Sequence, residues 1–201
     1  MRQKLKLKIG SKVEFDSELY EGFQLEGNSI IANVSADKVN AVMRHFIAMH
    51  EEPLFFILEL PTNQNDETET APGVIETFHK DIYYIDGCSQ AEALAIMSRV
   101  GNLLIHDGLS AFGYGCHESG DEIMFGKYNV LTIFSKHIKQ YHDFFEKHDI
   151  EKTEHLITAW DTFSDDHPGI SETYESNGKR VYDIPEQFKE WGIYFAERRE
   201  A

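Results

Sequence analysis

Residues 54–60 carry the sequence Leu-Phe-Phe-Ile-Leu-Glu-Leu, in which every side chain except that of Glu59 is apolar. Apolar residues on both faces of a strand predict a strand inside a sheet, with other strands beside it and other elements covering it. The run is far shorter than the roughly 20 apolar residues that cross a membrane, and the chain contains no longer one. We therefore expect a globular fold around this central strand and no membrane span.

Amphipathic helices are predicted on both sides of this strand. A first helix is expected to start at the N-cap Ser35 and to end near His50, because the apolar residues between them follow helical spacing. In a second helix, Ser89 and Glu92 form the pattern of a capping box in front of another apolar stripe. Similar spacing predicts three further helices, at about residues 136–148, at about residues 156–163, and from Asp183 through Phe195.

Further strands are predicted where aromatic and β-branched residues are concentrated. These segments are Phe78–Ile85, Leu109–His117 and Ile123–Phe134. The dipeptides Ser119-Gly120 and Asn177-Gly178 favour hairpin turns, because their residues tolerate positive φ angles. Antiparallel pairing is therefore expected.

The predicted elements add up to one α+β domain over residues 1–201. Its expected form is an antiparallel-rich mixed sheet packed by about four to five helices. The first eight residues alternate basic and apolar side chains, which predicts an edge strand instead of a signal peptide. Residues 63–70 offer no apolar side chain, so a flexible acidic loop is predicted at about residues 62–73.

The charge of the chain is strongly negative. It has 35 acidic and 19 basic side chains, which gives a formal net charge of −16 at pH 7 and argues against nucleic-acid binding. From Asp149 to Glu175, eight acids face only Lys152. Such a stretch is typical of a solvated surface. The alternative is a docking surface for a basic protein, with Asp161, Asp165 and Asp166 as candidate binding residues.

A second group of polar residues surrounds the predicted hairpin turn at Ser119-Gly120. The candidate binding residues there are Glu118, Asp121 and Glu122. Imidazole and carboxylate groups suit zinc or iron, so His117, Asp121 and Glu122 are also candidate metal ligands. The alternative is a polar hairpin tip without a ligand. No cofactor is predicted, and a divalent metal stays an open alternative.

Glycines near the same hairpin predict a shallow strip without bulky side chains. Gly113 and Gly115 are expected on one face, opposite Met124 and Gly126. We expect one of the protein's own helices to cover this strip, and the alternative is a ligand or the backbone of a partner.

Cys88 is the candidate nucleophile, because it directly precedes the second helix, where free amides and the helix dipole stabilise a thiolate. A catalytic thiol also needs a base, for which His106 and His117 are the candidates. The alternative is a small buried hydrophobic residue. The chain has only one other cysteine, Cys116, so a disulfide framework is not supported and a cytoplasmic location is expected.

Charge and size favour an acidic interaction protein of the cytoplasm that docks or neutralises a basic protein partner. It would be comparable in type to an immunity protein that neutralises a basic secreted nuclease, although no motif supports the comparison. The alternative is a small hydrolase or transferase that uses Cys88 or the group formed by His106, His117, Asp121 and Glu122. A third is a homo-oligomer that associates through its aromatic C-terminal helix.

Overall fold

The computed structural model describes residues 3–14, 18–62, 69–71, 74–75, 79–141 and 143–200. The strands are β1 (Ser11–Lys12), β2 (Gly22–Glu26), β3 (Ser29–Asn33), β4 (Leu54–Pro61), β5 (Glu69–Ala71), β6 (Val74–Ile75), β7 (His79–Cys88), β8 (Ala111–Cys116), β9 (Asp121–Phe125), β10 (Val130–Phe134), β11 (Ile170–Ser171) and β12 (Tyr194–Glu200). The α-helices are α1 (Ala36–Met49), α2 (Gln90–His106) and the single turn α3 (Ile184–Gln187). The predicted α+β class is confirmed.

The main sheet has eight strands within these ranges, in the order β12-β7-β4-β8-β9-β10-β3-β2, and every neighbouring pair is antiparallel. Strand β4 lies between β7 and β8, so the inner strand predicted at residues 54–60 is confirmed. Leu54, Phe56 and Leu58 belong to the main hydrophobic core and are fully buried. The intervening Phe55 and Ile57 lie on the opposite face because successive side chains of a strand alternate.

Helices α1 and α2 pack against each other and against one face of the sheet. The capping box predicted at α2 is present, because the Ser89 hydroxyl accepts from the Glu92 amide while the Glu92 carboxylate accepts from the Ser89 amide. At α1, Ser35 stands at the predicted N-cap without capping the helix. Its hydroxyl accepts instead from the backbone N–H of Lys6, which ties the N-terminal segment to the start of α1.

Two of the three other predicted helices are wrong in type, and the third is much shorter than predicted, since α3 after Asp183 covers only Ile184–Gln187. Residues 136–148 contain two short 3₁₀ turns, Ile138–Tyr141 and Glu146–His148, and residues 156–163 contain one, Ala159–Thr162. In the first segment the predicted apolar spacing brings Phe144 and Phe145 into the core without a continuous helix. Near the C-terminus, Gly192 takes a left-handed φ of 82° after the 3₁₀ turn Lys189–Trp191, and the chain continues as β12.

Three strand predictions also need correction. Ile123–Phe134 is two strands, because Tyr128 and Asn129 take positive φ angles and reverse the chain between β9 and β10. The N-terminal edge strand is reduced to a single bridge between Lys4 and Tyr20. The turn at Asn177-Gly178 forms, but only its immediate flanks pair, and β11 pairs with β1 instead. The hairpin predicted at Ser119-Gly120 is confirmed as the β8–β9 connection.

Most of the acidic loop predicted at residues 62–73 lies outside the described residues. Within it, β5 is a strand that pairs with β6, so this part is not an irregular loop. No helix in the described ranges is long and apolar enough to cross a membrane.

Candidate functional site

The face of the sheet opposite α1 and α2 carries a groove of about 460 Å³, which we call the sheet-face groove. It lies over the ends of β4, β7, β8 and β9 and is bordered by β10 and β12. The lining residues that matter below are the aromatic Phe55, Tyr84, Phe134 and Tyr194 and the polar Asp86, His117 and Glu122. Its position places the predicted hairpin residues beside side chains from four other strands.

A row of aromatic rings forms one wall of the sheet-face groove. The ring centroid of Phe55 lies 4.6 Å from that of His117 and 5.8 Å from that of Tyr84, and Tyr84 stacks on Tyr194 at 6.3 Å. The Phe55 ring fits only because residue 115 is glycine: a Cβ atom at Gly115 would lie 2.1 Å from the Phe55 Cζ. The glycine therefore allows the Phe55 ring to pack directly against the backbone of residue 115.

The glycine strip predicted from the sequence is covered by side chains of the neighbouring strands, not by a helix. Phe55 lies over Gly115, and the Met124 sulfur would lie 2.5 Å from a Cβ atom at Gly113. Gly113 pairs with Met124, one of the two residues expected opposite the strip, but Gly115 pairs with Glu122, and Gly126 lies beyond the end of β9.

Two carboxylates of the groove differ in their hydrogen bonding. Asp86 has partners within the chain: it accepts a hydrogen bond from the Tyr194 hydroxyl, and its Oδ1 lies 3.3 Å from Nε2 of His117. Glu122 is half-buried, and its carboxylate makes no hydrogen bond or ion pair with any other described residue. Burial, and then the negative charge of Glu59, raise the pKa of Glu122 against the opposing effect of Arg199. Glu122 is thus a partly desolvated carboxylate whose surroundings, despite the attraction of Arg199, favour its neutral form.

Asp121 lies on the other face of the sheet, under the helices, because adjacent residues of a strand point in opposite directions. Its Oδ2 lies 3.1 Å from Nε2 of His50 and accepts a hydrogen bond from the Tyr141 hydroxyl at 3.0 Å. Burial acts to raise the pKa of Asp121, but hydrogen bonds from Ser135, His50 and Tyr141 outweigh it and hold this pKa below its ordinary value. Asp121 is therefore a buried structural acid.

The predicted metal ligands His117, Asp121 and Glu122 are not brought together. The sheet itself separates Asp121 from Glu122, and His117 is directed toward Asp86. Among the described residues, no group of three or more His, Cys, Asp or Glu side chains is placed to hold a metal ion. Glu118 is exposed on the hairpin turn.

The residues proposed for nucleophilic catalysis do not assemble either. Cys88 is 3% exposed, and burial raises the pKa of its thiol to about 11, so the thiolate is scarce at neutral pH. His106 packs edge-on against Tyr174 at the far end of α2, while His117 packs against Phe55. The structure therefore keeps both candidate bases in separate surroundings.

The acidic stretch of residues 149–175 presents a tight turn. Ser164 and His167 close it with reciprocal backbone hydrogen bonds, which leaves Asp165 and Asp166 exposed at its tip. Neither acid has a hydrogen bond or an ion pair among the described residues. Asp161, by contrast, accepts from the backbone and hydroxyl of Thr158 and caps its own 3₁₀ turn.

Exposed apolar side chains accompany this turn. Trp160 is 53% exposed, yet its ring is held edge-on against Tyr128 at 4.9 Å and Phe163 at 5.5 Å. Ile157 and Ile170 are each about half exposed as well. We call Trp160 together with Asp165 and Asp166 the acidic-turn patch. It combines a rigid aromatic side chain with unpaired negative charge.

Sequence reasoning did not find most of the sheet-face groove. Tyr84 falls in the strand predicted at Phe78–Ile85, while Asp86 lies one residue beyond that prediction and belongs to β7 in the structure. Nothing local indicates which face of the sheet stays uncovered. Tyr194 lies in the segment that helical spacing predicts as a helix, so the sequence does not indicate that it pairs with Tyr84 across two strands. Glu59, which shares a face of β4 with Phe55 and Ile57, is the signal that could have indicated a second, more polar face.

Comparison with known proteins gives no relative: no family model matches the chain, and neither a curated protein nor a solved structure matches it significantly.

Proposed function

We propose that this protein is an acidic interaction protein that docks onto a basic protein partner through the acidic-turn patch. The observation that carries the proposal is the pair of exposed carboxylates of Asp165 and Asp166, without ion pairs among the described residues, in the same stretch as the exposed Trp160, whose ring packs against Tyr128 and Phe163. Neutralisation of the partner in the manner of an immunity protein is the form of docking that the net charge of −16 favours.

Physical features of the patch support binding over simple solvation. Tryptophan is among the residues that most often dominate binding energy, and a ring already fixed by its neighbours loses little entropy when a partner covers it. Exposed carboxylates mainly accelerate encounter and select partners of opposite charge. Glu172 and Glu175 pair with Lys12 and Arg180, whereas Asp165 and Asp166 are exposed without an ion pair among the described residues.

We also propose that the protein works in the cytoplasm. Cys88 and Cys116 are both free and buried, so neither contributes a disulfide that an oxidising compartment would maintain.

The proposal is tested by capturing partners from native cells with the tagged protein and identifying by mass spectrometry what elutes at high salt. The test variants are Trp160→Ala and the double reversal Asp165→Lys/Asp166→Lys. The matched control is Glu51→Lys/Glu190→Lys, which changes net charge equally at exposed acids outside the patch.

We expect a basic protein that the wild type and the control retain and that both test variants lose. Measured with the purified pair, Trp160→Ala should weaken binding by about 30-fold, the loss typical of a hot-spot residue. Equal loss of the partner in the control double reversal would mean that only overall charge matters, and it would refute docking at this patch. Undiminished retention by the test variants would refute it as well.

A further inference from the structure

We propose that the sheet-face groove binds the guanidinium group of an arginine side chain that the basic partner presents. The proposed function supplies the source of this arginine, and the inference rests on it in that respect. The geometry of the groove supplies the chemistry by which the side chain is recognised.

Glu122 is the residue that would bind the guanidinium cation. It is half-buried between β8 and β10, opposite Gly115 on one side and Phe134 on the other, and its carboxylate has no hydrogen bond or ion pair among the described residues. A carboxylate that is partly removed from water gains most when an opposite charge joins it, because both Coulomb attraction and charge-assisted hydrogen bonds are stronger away from bulk solvent. Burial and the nearby negative charge of Glu59 raise the pKa of Glu122 more than the attraction of Arg199 lowers it, so an additional cation in the groove would stabilise the ionised carboxylate.

The aromatic row makes a guanidinium the best-fitting cation. The rings of Phe55, Tyr84 and Tyr194 offer faces on which a planar, weakly hydrated guanidinium stacks, and its N–H groups form a fork that matches a carboxylate. A quaternary ammonium ion would gain the ring contacts but has no donor for Glu122. Asp86 keeps the groove in shape, because it holds Tyr194 and His117 from opposite sides.

Size and charge argue against other occupants. A groove of about 460 Å³ accommodates one long side chain with some water, but not a helix or a folded loop. An anion would meet the unpaired carboxylate of Glu122 in a chain of net charge −16. A metal ion would find a single free carboxylate, because Asp121 is on the other face of the sheet.

The test is an NMR titration of the ¹⁵N-labelled full chain with N-acetyl-arginine amide. Two probes serve as controls: N-acetyl-citrulline amide, which has nearly the same shape without the charge, and tetramethylammonium, which has the charge without donors. The test variant is Glu122→Gln, which is nearly isosteric. Its control is Glu118→Gln, which removes an exposed acid on the same hairpin outside the groove.

We expect arginine amide to shift the backbone amides of Gly115, Gly120 and Glu122, and to bind at least about tenfold more tightly than either control probe. Glu122→Gln should weaken binding at least about tenfold, while Glu118→Gln should leave it unchanged. Unchanged thermal unfolding of Glu122→Gln excludes misfolding as the cause.

Equal shifts with arginine and citrulline amides, or no shifts at all, would overturn the guanidinium site. That result leaves the docking proposal standing if the Asp165→Lys/Asp166→Lys variant still loses the basic partner. Specific arginine binding in the groove, together with full retention of the partner by that variant, would instead refute docking at the acidic-turn patch while the groove inference stands.

Discussion

Lys8 should destabilise the protein in a way that depends on pH. It is 1% exposed, its ammonium donates to the Gly126 carbonyl at 2.8 Å, and it lies 4.8 Å from the centroid of the Phe125 ring. Burial outweighs the attraction of Asp107 and lowers the pKa of Lys8 to about 7, from 10.5 in an exposed lysine. Folding at neutral pH therefore forces a charged group to give up water or its proton.

The size of this effect follows from the two pKa values. The two pKa values differ by about 3.5 units, and each unit is equivalent to about 1.4 kcal/mol. At low pH, the buried charge of Lys8 therefore lowers the free energy of unfolding by about 5 kcal/mol. Between pH 7 and 10.5 the unfolded chain binds the proton and the folded chain does not, so the wild type gains stability as pH rises. From pH 6 to pH 9 the gain attributable to Lys8 is about 3 kcal/mol.

The assay is urea unfolding of the wild type and Lys8→Met at several pH values between 6 and 9. Lys8→Met removes the titrating group and keeps a flexible apolar stem, at a cost of about 1 kcal/mol for the lost hydrogen bond to Gly126. We expect its advantage over the wild type to shrink by about 3 kcal/mol across this range. Parallel stability curves would refute the reasoning, and the exposed-site variant Lys152→Met should give such parallel curves.

Three further outcomes follow from the packing of the sheet. Gly115→Ala should lower the free energy of unfolding by about 1–3 kcal/mol in urea, because its Cβ would lie 2.1 Å from the Phe55 Cζ; an unchanged midpoint would contradict the tight fit. Asp121→Asn should cost about 1–3 kcal/mol at pH 7, because the buried carboxylate that accepts from the Tyr141 hydroxyl is replaced by a weaker acceptor. Since the pKa of Asp121 is lowered in the folded state, this deficit should shrink as pH falls below about 4, and a constant deficit would argue against stabilisation by the ionised carboxylate. Cys88 should react with a thiol reagent at pH 8 only in urea, because its pKa is about 11 and it is buried; native-state labelling at the rate of a free thiol would show otherwise.

Local patterns were sufficient to predict the elements that build the centre of the fold. The apolar run of β4 fixes it inside the sheet, and the capping box at Ser89 marks the start of α2 within one residue. Both signals depend on neighbours in sequence, which is why they can be recognised from the chain alone. The hairpin at Ser119-Gly120 belongs to the same class.

The C-terminal strand could not be predicted in this way. Strand β12 is held by β7, more than 100 residues earlier in the chain, through backbone pairing and the ion pair between Arg198 and Asp81. Its aromatic residues fit helical spacing equally well, and the decision depends on the vacant edge of β7. The sheet-face groove could not be predicted for the same reason, because Tyr194 lines the groove only when β12 pairs with β7.

The salt dependence of the association rate tests the central claim most directly. The basic partner is mixed with the wild type and with Asp165→Lys/Asp166→Lys at 50 and 500 mM salt, and both rate constants are measured by surface-based kinetics. Since exposed charges act mainly on encounter, the wild-type association rate should fall at least about tenfold at high salt, and the double reversal should slow association at 50 mM while changing dissociation less. Association that is equally fast at both salt concentrations, or equally fast for both proteins, would contradict electrostatic docking through the acidic-turn patch.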